Sequence, residues 1–317
     1  MPICTKCTTG APYVYTTYES EHNLRLEECR NCKTNVDPFV EADHLTLFID
    51  LILLKRGVSR HLLFNRGSEP RRLGGELKKP LKPVQVARER RLKRWWLLLK
   101  LGTGLILLDA YIRWCYLDPN PSSEPIIWTA PVVKRFLLIL VGTATEVLAF
   151  HIGISFLTFI ALKLLDGYRL WRYGNAELSD TRKEFTLSLV PLSLFYSSLT
   201  KYFLLFLLTI WPPAKSSPSD QQSTPTWPQI YFPDSAMIHQ VFHTLDDRNL
   251  DKDWVVRNIM GGMSAGFGLR IVLDDLHPFF TTLVILLGWG IKATVSNAVS
   301  DKIGLATQTA WRAYSIP

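Results

Sequence analysis

Three apolar runs, Trp95–Leu117, Phe136–Leu165 and Phe185–Trp211, and a fourth at Pro278–Val295, restrict what this chain can fold into more than any other feature. Each is long enough for a helix to cross the hydrocarbon layer. Lipid offers no partner to a backbone N–H or C=O, so a run that crosses it as a single segment must be helical. Trp95 and Trp96 stand before the first run and Trp114 and Tyr116 near its end, as an interfacial aromatic belt would. The second run exceeds the bilayer thickness and must tilt or continue past it. Pro191 predicts a kink in the third. Val255–Leu273 has two readings. Arg257 and Arg270 bracket a small-residue run whose Gly262-x3-Gly266 spacing suits close packing in lipid, while the same glycines weaken a helix in water. The expectation is a bundle of four or five transmembrane helices.

Charge orients these spans. Net charge is +8, with 20% charged residues beside 47% apolar ones. The basic excess is concentrated between Lys55 and Arg94, directly before the first span. Such a flank marks the cytosolic side and argues against a nucleic-acid partner; it also offers a surface for anionic lipid. Arg169, Arg172, Arg182 and Lys183 place the loop 166–184 on that side too, whereas the acidic loop 212–254 reads as lumenal. Within that loop, Met237, Ile238, Val241, Phe242 and Leu245 share one helical face, suited to a membrane surface or to packing on the protein. The polar first thirty residues contain no signal-peptide core, so the N-terminus is expected in the cytosol.

Four of the five cysteines lie in that polar head, as Cys4-x2-Cys7 and Cys29-x2-Cys32. In a reducing compartment, paired CxxC steps point to metal rather than disulfides, and four thiolates suit one tetrahedral Zn²⁺. With no open coordination position the zinc is structural. Gly10 and Asn35 supply residues that tolerate the left-handed backbone of such turns. Tyr13–Tyr15 and Leu24–Leu26 read as two strands joined by a turn at 19–23, a zinc-ribbon hairpin. Asp37 and Pro38 cap and open a helix. The apolar stretch Leu45–Leu54 is too short to span; it lies in the interface, packs on the ribbon, or forms the core helix of a small domain.

The segments Cys29-Arg-Asn-Cys32-Lys-Thr-Asn35-Val36-Asp37-Pro-Phe39-Val-Glu41, Ile49-Asp50-Leu51-Ile52-Leu53-Leu54-Lys55 and Arg60-His61-Leu62-Leu63-Phe64-Asn65 together resemble the Arv homology domain. The likeness covers residues 1–65; beyond them only the layout of several spans agrees. It implies a mainly α membrane protein of the endoplasmic reticulum, also found in the Golgi. Its ribbon domain would occupy 1–65, a basic cytosolic linker 66–94 and the membrane domain 95–317. The family's role, by this resemblance, is sterol homeostasis and intracellular sterol transport, with influence on sphingolipid metabolism and on glycosylphosphatidylinositol (GPI) precursor handling. An alternative is an adaptor that binds lipid- or GPI-synthesis enzymes through its zinc domain.

Charged and polar residues inside spans need a reason. Asp109 and Arg113 can pair at i, i+4 in the first span, and Glu146 and His151 lie in the second, with Lys201 in the third. Asp109, Glu146 and His151 are candidates for a polar lipid site that receives a sterol hydroxyl or a headgroup; the other reading is inter-helix glue. No Gly-rich phosphate loop or nucleophile motif is present, so an enzyme is not expected. His61 is read as a structural histidine.

Overall fold

The computed structural model describes residues 1–18, 24–73, 83–117, 129–174, 178–210 and 255–303. The N-terminal unit is built on a three-stranded sheet, order β2-β1-β3. Strand β1 (Tyr15–Tyr18) pairs antiparallel with β2 (Leu24–Leu26), with Tyr15 opposite Leu26. The first strand thus begins two residues later than its alternation predicts; the turn expected at 19–23 lies outside the described residues. Strand β3 (Arg71–Leu73) pairs parallel with β1, Thr16 opposite Arg71. Sequence reasoning placed those residues in the basic linker, since three residues with two arginines show no strand pattern.

Asp37 does cap a short helix. Its side chain accepts from the Phe39 N–H at 3.0 Å, and Pro38 opens one turn of 3-10 helix, Pro38–Val40. Helix α1 (His44–Ile52) follows, capped by Asp43. Leu54 turns the chain with φ +55, and α2 (Arg56–Arg60) runs on through a π-helical turn, His61–Asn65.

Among the described residues four helices are long and apolar enough to cross a membrane: α3 (Pro83–Leu117), α4 (Ala130–Tyr173), α6 (Leu189–Ile210) and α8 (Pro278–Ile303). A short α5 (Asp180–Lys183) lies between α4 and α6. Pro191 falls in the first turn of α6, where its missing N–H leaves no intrahelical bond unmade. It starts the helix and is not the kink the sequence suggested. The ambiguous segment is helical: a π turn, Val256–Met260, leads into α7 (Gly261–Val272). It is too short to count among the four, yet it packs along α6, as α8 packs along α4. The predicted lumenal loop 212–254 and its apolar-faced helix lie outside the described residues.

One end of the bundle is a polar belt. Arg94 donates to Thr186 Oγ1 at 3.1 Å, Arg182 to Asp166 at 2.8 Å, and Ser179 Oγ to Asp275 at 2.8 Å; Arg169 stands 3.6 Å from Asp275. The N-terminal unit sits on this end. Gly10 N–H donates to Asp180 at 2.8 Å, the Met1 amino group pairs with Glu184, and Arg60 lies 3.5 Å from Asp274. Below them Leu51, Leu54 and Leu63 face Ser193, Tyr196 and Gly268.

The small-residue contact between α6 and α7 is made at Gly268 and not at Gly266 of the expected pair. A Cβ on Gly266 would meet open space, but one on Gly268 would lie 2.8 Å from the Ser193 carbonyl oxygen and 2.9 Å from Ser197 Oγ. The nearest neighbour is backbone and cannot rotate away. Gly268→Leu is therefore expected to destabilise the protein by about 1–3 kcal/mol through forced separation of the two helices. A lowered unfolding midpoint in detergent measures this, and Gly266→Leu should leave the midpoint near that of the parent.

Candidate functional site

Two constellations stand out, one in the N-terminal unit and one within the spans. In the first, each CxxC folds as a knuckle between two backbone bridges, Ile3 with Gly10 and Glu28 with Asn35. Thr8 N–H donates to Cys4 O and Lys33 N–H to Cys29 O, each at 3.0 Å. The left-handed residues are Thr8 (φ +64) and Lys33 (φ +56), immediately after the second cysteine of each pair. Gly10 and Asn35, the residues chosen from sequence, instead take part in the closing bridges. Gly10 also has a second constraint: its missing Cβ would meet the Asp180 carboxylate at 3.3 Å.

These knuckles bring Cys4, Cys7, Cys29 and Cys32 together, all four sulfurs within 4.8 Å of one another. Cys4 Sγ is 3.7 Å from Cys32 Sγ and Cys7 Sγ 3.5 Å from Cys29 Sγ. Four thiolates around zinc stand about 3.8 Å apart, given Zn–S bonds of about 2.3 Å, so the cluster fits a tetrahedral metal. Thr9 Oγ1 lies 3.3 Å from Cys7 and Thr34 Oγ1 3.1 Å from Cys32, hydroxyls placed to donate to thiolates. Burial pushes the Cys4 thiol up to about 12. Burial would raise Cys7 as well, but hydrogen bonds with the Thr9 hydroxyl and backbone bring it down to about 6. A metal that takes all four sulfurs must displace the Cys4 proton.

Beneath the cluster lies Asp37, fully buried. Its Oδ2 is 2.7 Å from His61 Nδ1 and accepts from Asn65 Nδ2 at 2.7 Å. Asn65 in turn accepts from Ile3 N–H and donates to Ile3 O, both at 2.8 Å. Arg60 donates to the Thr5 and Lys6 carbonyls at 3.0 and 3.1 Å. The residues spelled out along the sequence as Asp37 and Arg60-His61-Leu-Leu-Phe-Asn65 are thus one hydrogen-bonded network behind the first knuckle. His61, read from the sequence as structural, is a member of this network through Asp37.

The second constellation lies inside the bundle. Asp109 and Arg113 do pair, with Arg113 Nε 3.3 Å from Asp109 Oδ2. Arg113 Nη2 also reaches Glu146 Oε2 at 2.8 Å, and Ser296 Oγ donates to Glu146 Oε1 at 2.9 Å. Helices α3, α4 and α8 are joined through these contacts. Lys201, Arg257 and Lys292 are buried in the same region and act electrostatically on Asp109. His151 is not bonded to this group. Its Nδ1 lies 2.8 Å from Val147 O, its ring stacks on Phe195 at 4.2 Å, and its Nε2 has no hydrogen-bond partner among the described residues. Of the three candidates, two are joined through Arg113 and the third stands apart. Ser296 and Lys292 were missed; Lys292 is a lysine within a span, a signal that composition alone carries.

The family model of the Arv1-like family matches residues 3–223. Protein ARV1 of Saccharomyces cerevisiae is 46% identical over 63 residues, 20% of this chain and 19% of that protein. Protein arv1 of Schizosaccharomyces pombe is 24% identical over 169 residues, 53% of this chain and 56% of that one. Protein ARV 1 of Arabidopsis thaliana is 28% identical over 208 residues, 66% and 67% of the two chains. The chain thus spans less than two thirds of the length of the first two. No solved structure matches.

Removing one partner of a buried ion group leaves the others uncompensated. Arg113→Met is expected to destabilise the protein by about 3–5 kcal/mol, because Asp109 and Glu146 remain. Adding Asp109→Asn and Glu146→Gln should not restore it, because buried Lys201 and Lys292 then lose the carboxylates that act on them. Unfolding equilibria in mixed detergent micelles compare the single and triple variants.

Proposed function

Because the chain belongs to the Arv1-like family, we propose that it acts in sterol and lipid homeostasis as a multi-span protein of the endoplasmic reticulum membrane, with the Golgi as a further site. Its work is to bind a sterol or GPI-precursor lipid and move it between leaflets or membranes. Effects on sphingolipid metabolism follow from altered sterol distribution. The polar belt and the ribbon face the cytosol, and the basic residues between 66 and 94 rest on anionic lipid.

The observation that carries this reading is the polar layer Asp109–Arg113–Glu146–Ser296 inside the bundle of membrane-length helices. Ionisable groups in a span are costly to keep and mark pathways for polar cargo. A lipid hydroxyl can replace Ser296 as donor to Glu146, and His151 Nε2 offers a further polar contact within the same helix. The apolar surroundings accept the rest of the lipid. In this reading the layer binds and passes lipid, and no chemical conversion is assigned to it.

The four cysteines hold one structural zinc ion, which fixes the two knuckles and through them the network around Asp37. Cys29→Ser should abolish stoichiometric zinc in elemental analysis of the purified chain, with loss of the N-terminal fold as seen by proteolysis. An unchanged metal content would remove zinc from this account.

Purified protein in liposomes should speed the movement of a labelled sterol or GPI precursor, and Glu146→Gln should slow it by more than its lowered stability accounts for, as a fold-matched comparison with Ser296→Ala shows. Lipid retained in mild detergent, identified by mass spectrometry, should then be a sterol or a GPI precursor. No acceleration, together with co-purification of a lipid-synthesis enzyme, favours the adaptor function.

A further inference from the structure

Helix α1 presents a large apolar face to the outside of the molecule. Leu45 is 65% exposed, Phe48 50%, Ile49 47% and Leu53 62%. Their spacing, i, i+3, i+4, i+8, puts all four on one side of the helix. The opposite side, with Leu47, Asp50 and Leu51, is turned inward, and on the apolar face itself only Ile52, at the end of the helix, is covered. A soluble domain leaves so contiguous an apolar face bare only where something covers it.

The position of α1 identifies the cover. Its final carbonyl, Ile52 O, accepts a 2.7 Å hydrogen bond from Thr200 Oγ1. Thr200 belongs to α6, a helix of membrane-crossing length that begins at Leu189. At 1.5 Å per residue, Thr200 lies about 16 Å along α6 from that start. Leu51 and Leu54 face Tyr196 and Ser197, on the same stretch of α6. The C-terminal end of α1 is therefore held against the side of a span, away from the belt of Arg94, Asp166, Thr186 and Asp275 that marks the polar end of the bundle. An apolar face at that position continues the lipid-facing surface of the spans.

We propose that α1 is inserted in the bilayer leaflet next to the N-terminal unit, with Phe48, Ile49 and Leu53 among the acyl chains. The N-terminal unit is thereby a monotopic membrane module as well as a cap on the bundle. The charges at its turn are compatible with this placement. Lys55 is paired with Asp50 at 2.6 Å, and it and Arg56 are exposed, with stems long enough to carry their charges toward the headgroups. A helix of this kind is too short to span, and insertion by one face is the way such a segment binds lipid.

The test uses the full chain with zinc bound, in phosphatidylcholine nanodiscs. In a Cys115→Ser background, bimane is attached at Ile49→Cys, at Leu53→Cys and, as a control on the ribbon, at Tyr13→Cys. The first two probes should lose most of their emission to lipids with doxyl-labelled chains and resist iodide in the buffer; the Tyr13 probe should show the reverse. Quenching of the α1 probes by iodide with no response to doxyl lipid would overturn the proposal and leave the face to water or to a protein partner. A second measurement needs no substitution: the unmodified chain in nanodiscs is irradiated with phosphatidylcholine carrying a chain diazirine. Lipid adducts should map to peptides within 44–54 as well as to the long helices, and adducts confined to the long helices would equally refute insertion. Neither readout depends on lipid transport, so the result is independent of the function proposed above.

Discussion

Asp37 has no exposed surface, and everything in the N-terminal unit converges on its carboxylate. It caps the Phe39 turn, holds His61, and holds Asn65, which clamps the backbone of Ile3 at the root of the first knuckle. A buried carboxylate is tolerable only when its lone pairs are occupied by donors. That requirement joins pieces far apart in sequence, the first knuckle, the turn at Pro38 and the π turn at His61–Asn65. Arg60, one residue before this turn, binds the carbonyls of Thr5 and Lys6 and reaches Asp274 at the head of the bundle. The cysteine cluster, the helical pair α1–α2 and the membrane helices are therefore mechanically continuous.

Much of this was legible in the chain. The paired CxxC steps announced the sulfur cluster, because each step sets two sulfurs on one tight turn. The four spans were legible because lipid imposes both length and composition on a crossing helix. The Asp109–Arg113 pair was legible because an i, i+4 spacing fixes proximity within one helix. What escaped were relations between distant segments. Strand β3 exists because β1 has a free edge at Thr16–Tyr18, and nothing local to Arg71–Leu73 encodes that edge. The choice of Gly268 over Gly266 as the point of closest approach depends on the rotation of α7 against α6, which a small-residue motif does not set. Thr8 and Lys33 take the left-handed conformation against their residue preference because the i+4 closure of each knuckle demands it there, whatever side chain is present.

The intramembrane layer follows a different logic from the N-terminal network. Arg113 bridges two carboxylates contributed by two helices, and Ser296 adds a third helix to the same group. Such polar contacts order a bundle that dispersion alone would leave with several similar packings. They also concentrate hydrogen-bonding capacity in the one place where a lipid's polar end would otherwise find none. Structural glue and binding site need not be different residues here, since a hydroxyl that displaces Ser296 would loosen α8 from α4 as it binds.

The parallel pairing of β3 with β1 has a consequence for the strength of the whole arrangement. Leu73 is fastened to the sheet, and α3 begins at Pro83, so the covalent path between ribbon and bundle reaches at most about 35 Å at full extension. Over such a tether the effective concentration of one partner at the other is of millimolar order. The contacts at Asp180, Glu184 and Asp274, each modest on its own, operate against that local concentration and not against dilution in the cell. Because docking is intramolecular, a substitution that weakens this seam lowers its occupancy far less than the same change would between two separate chains.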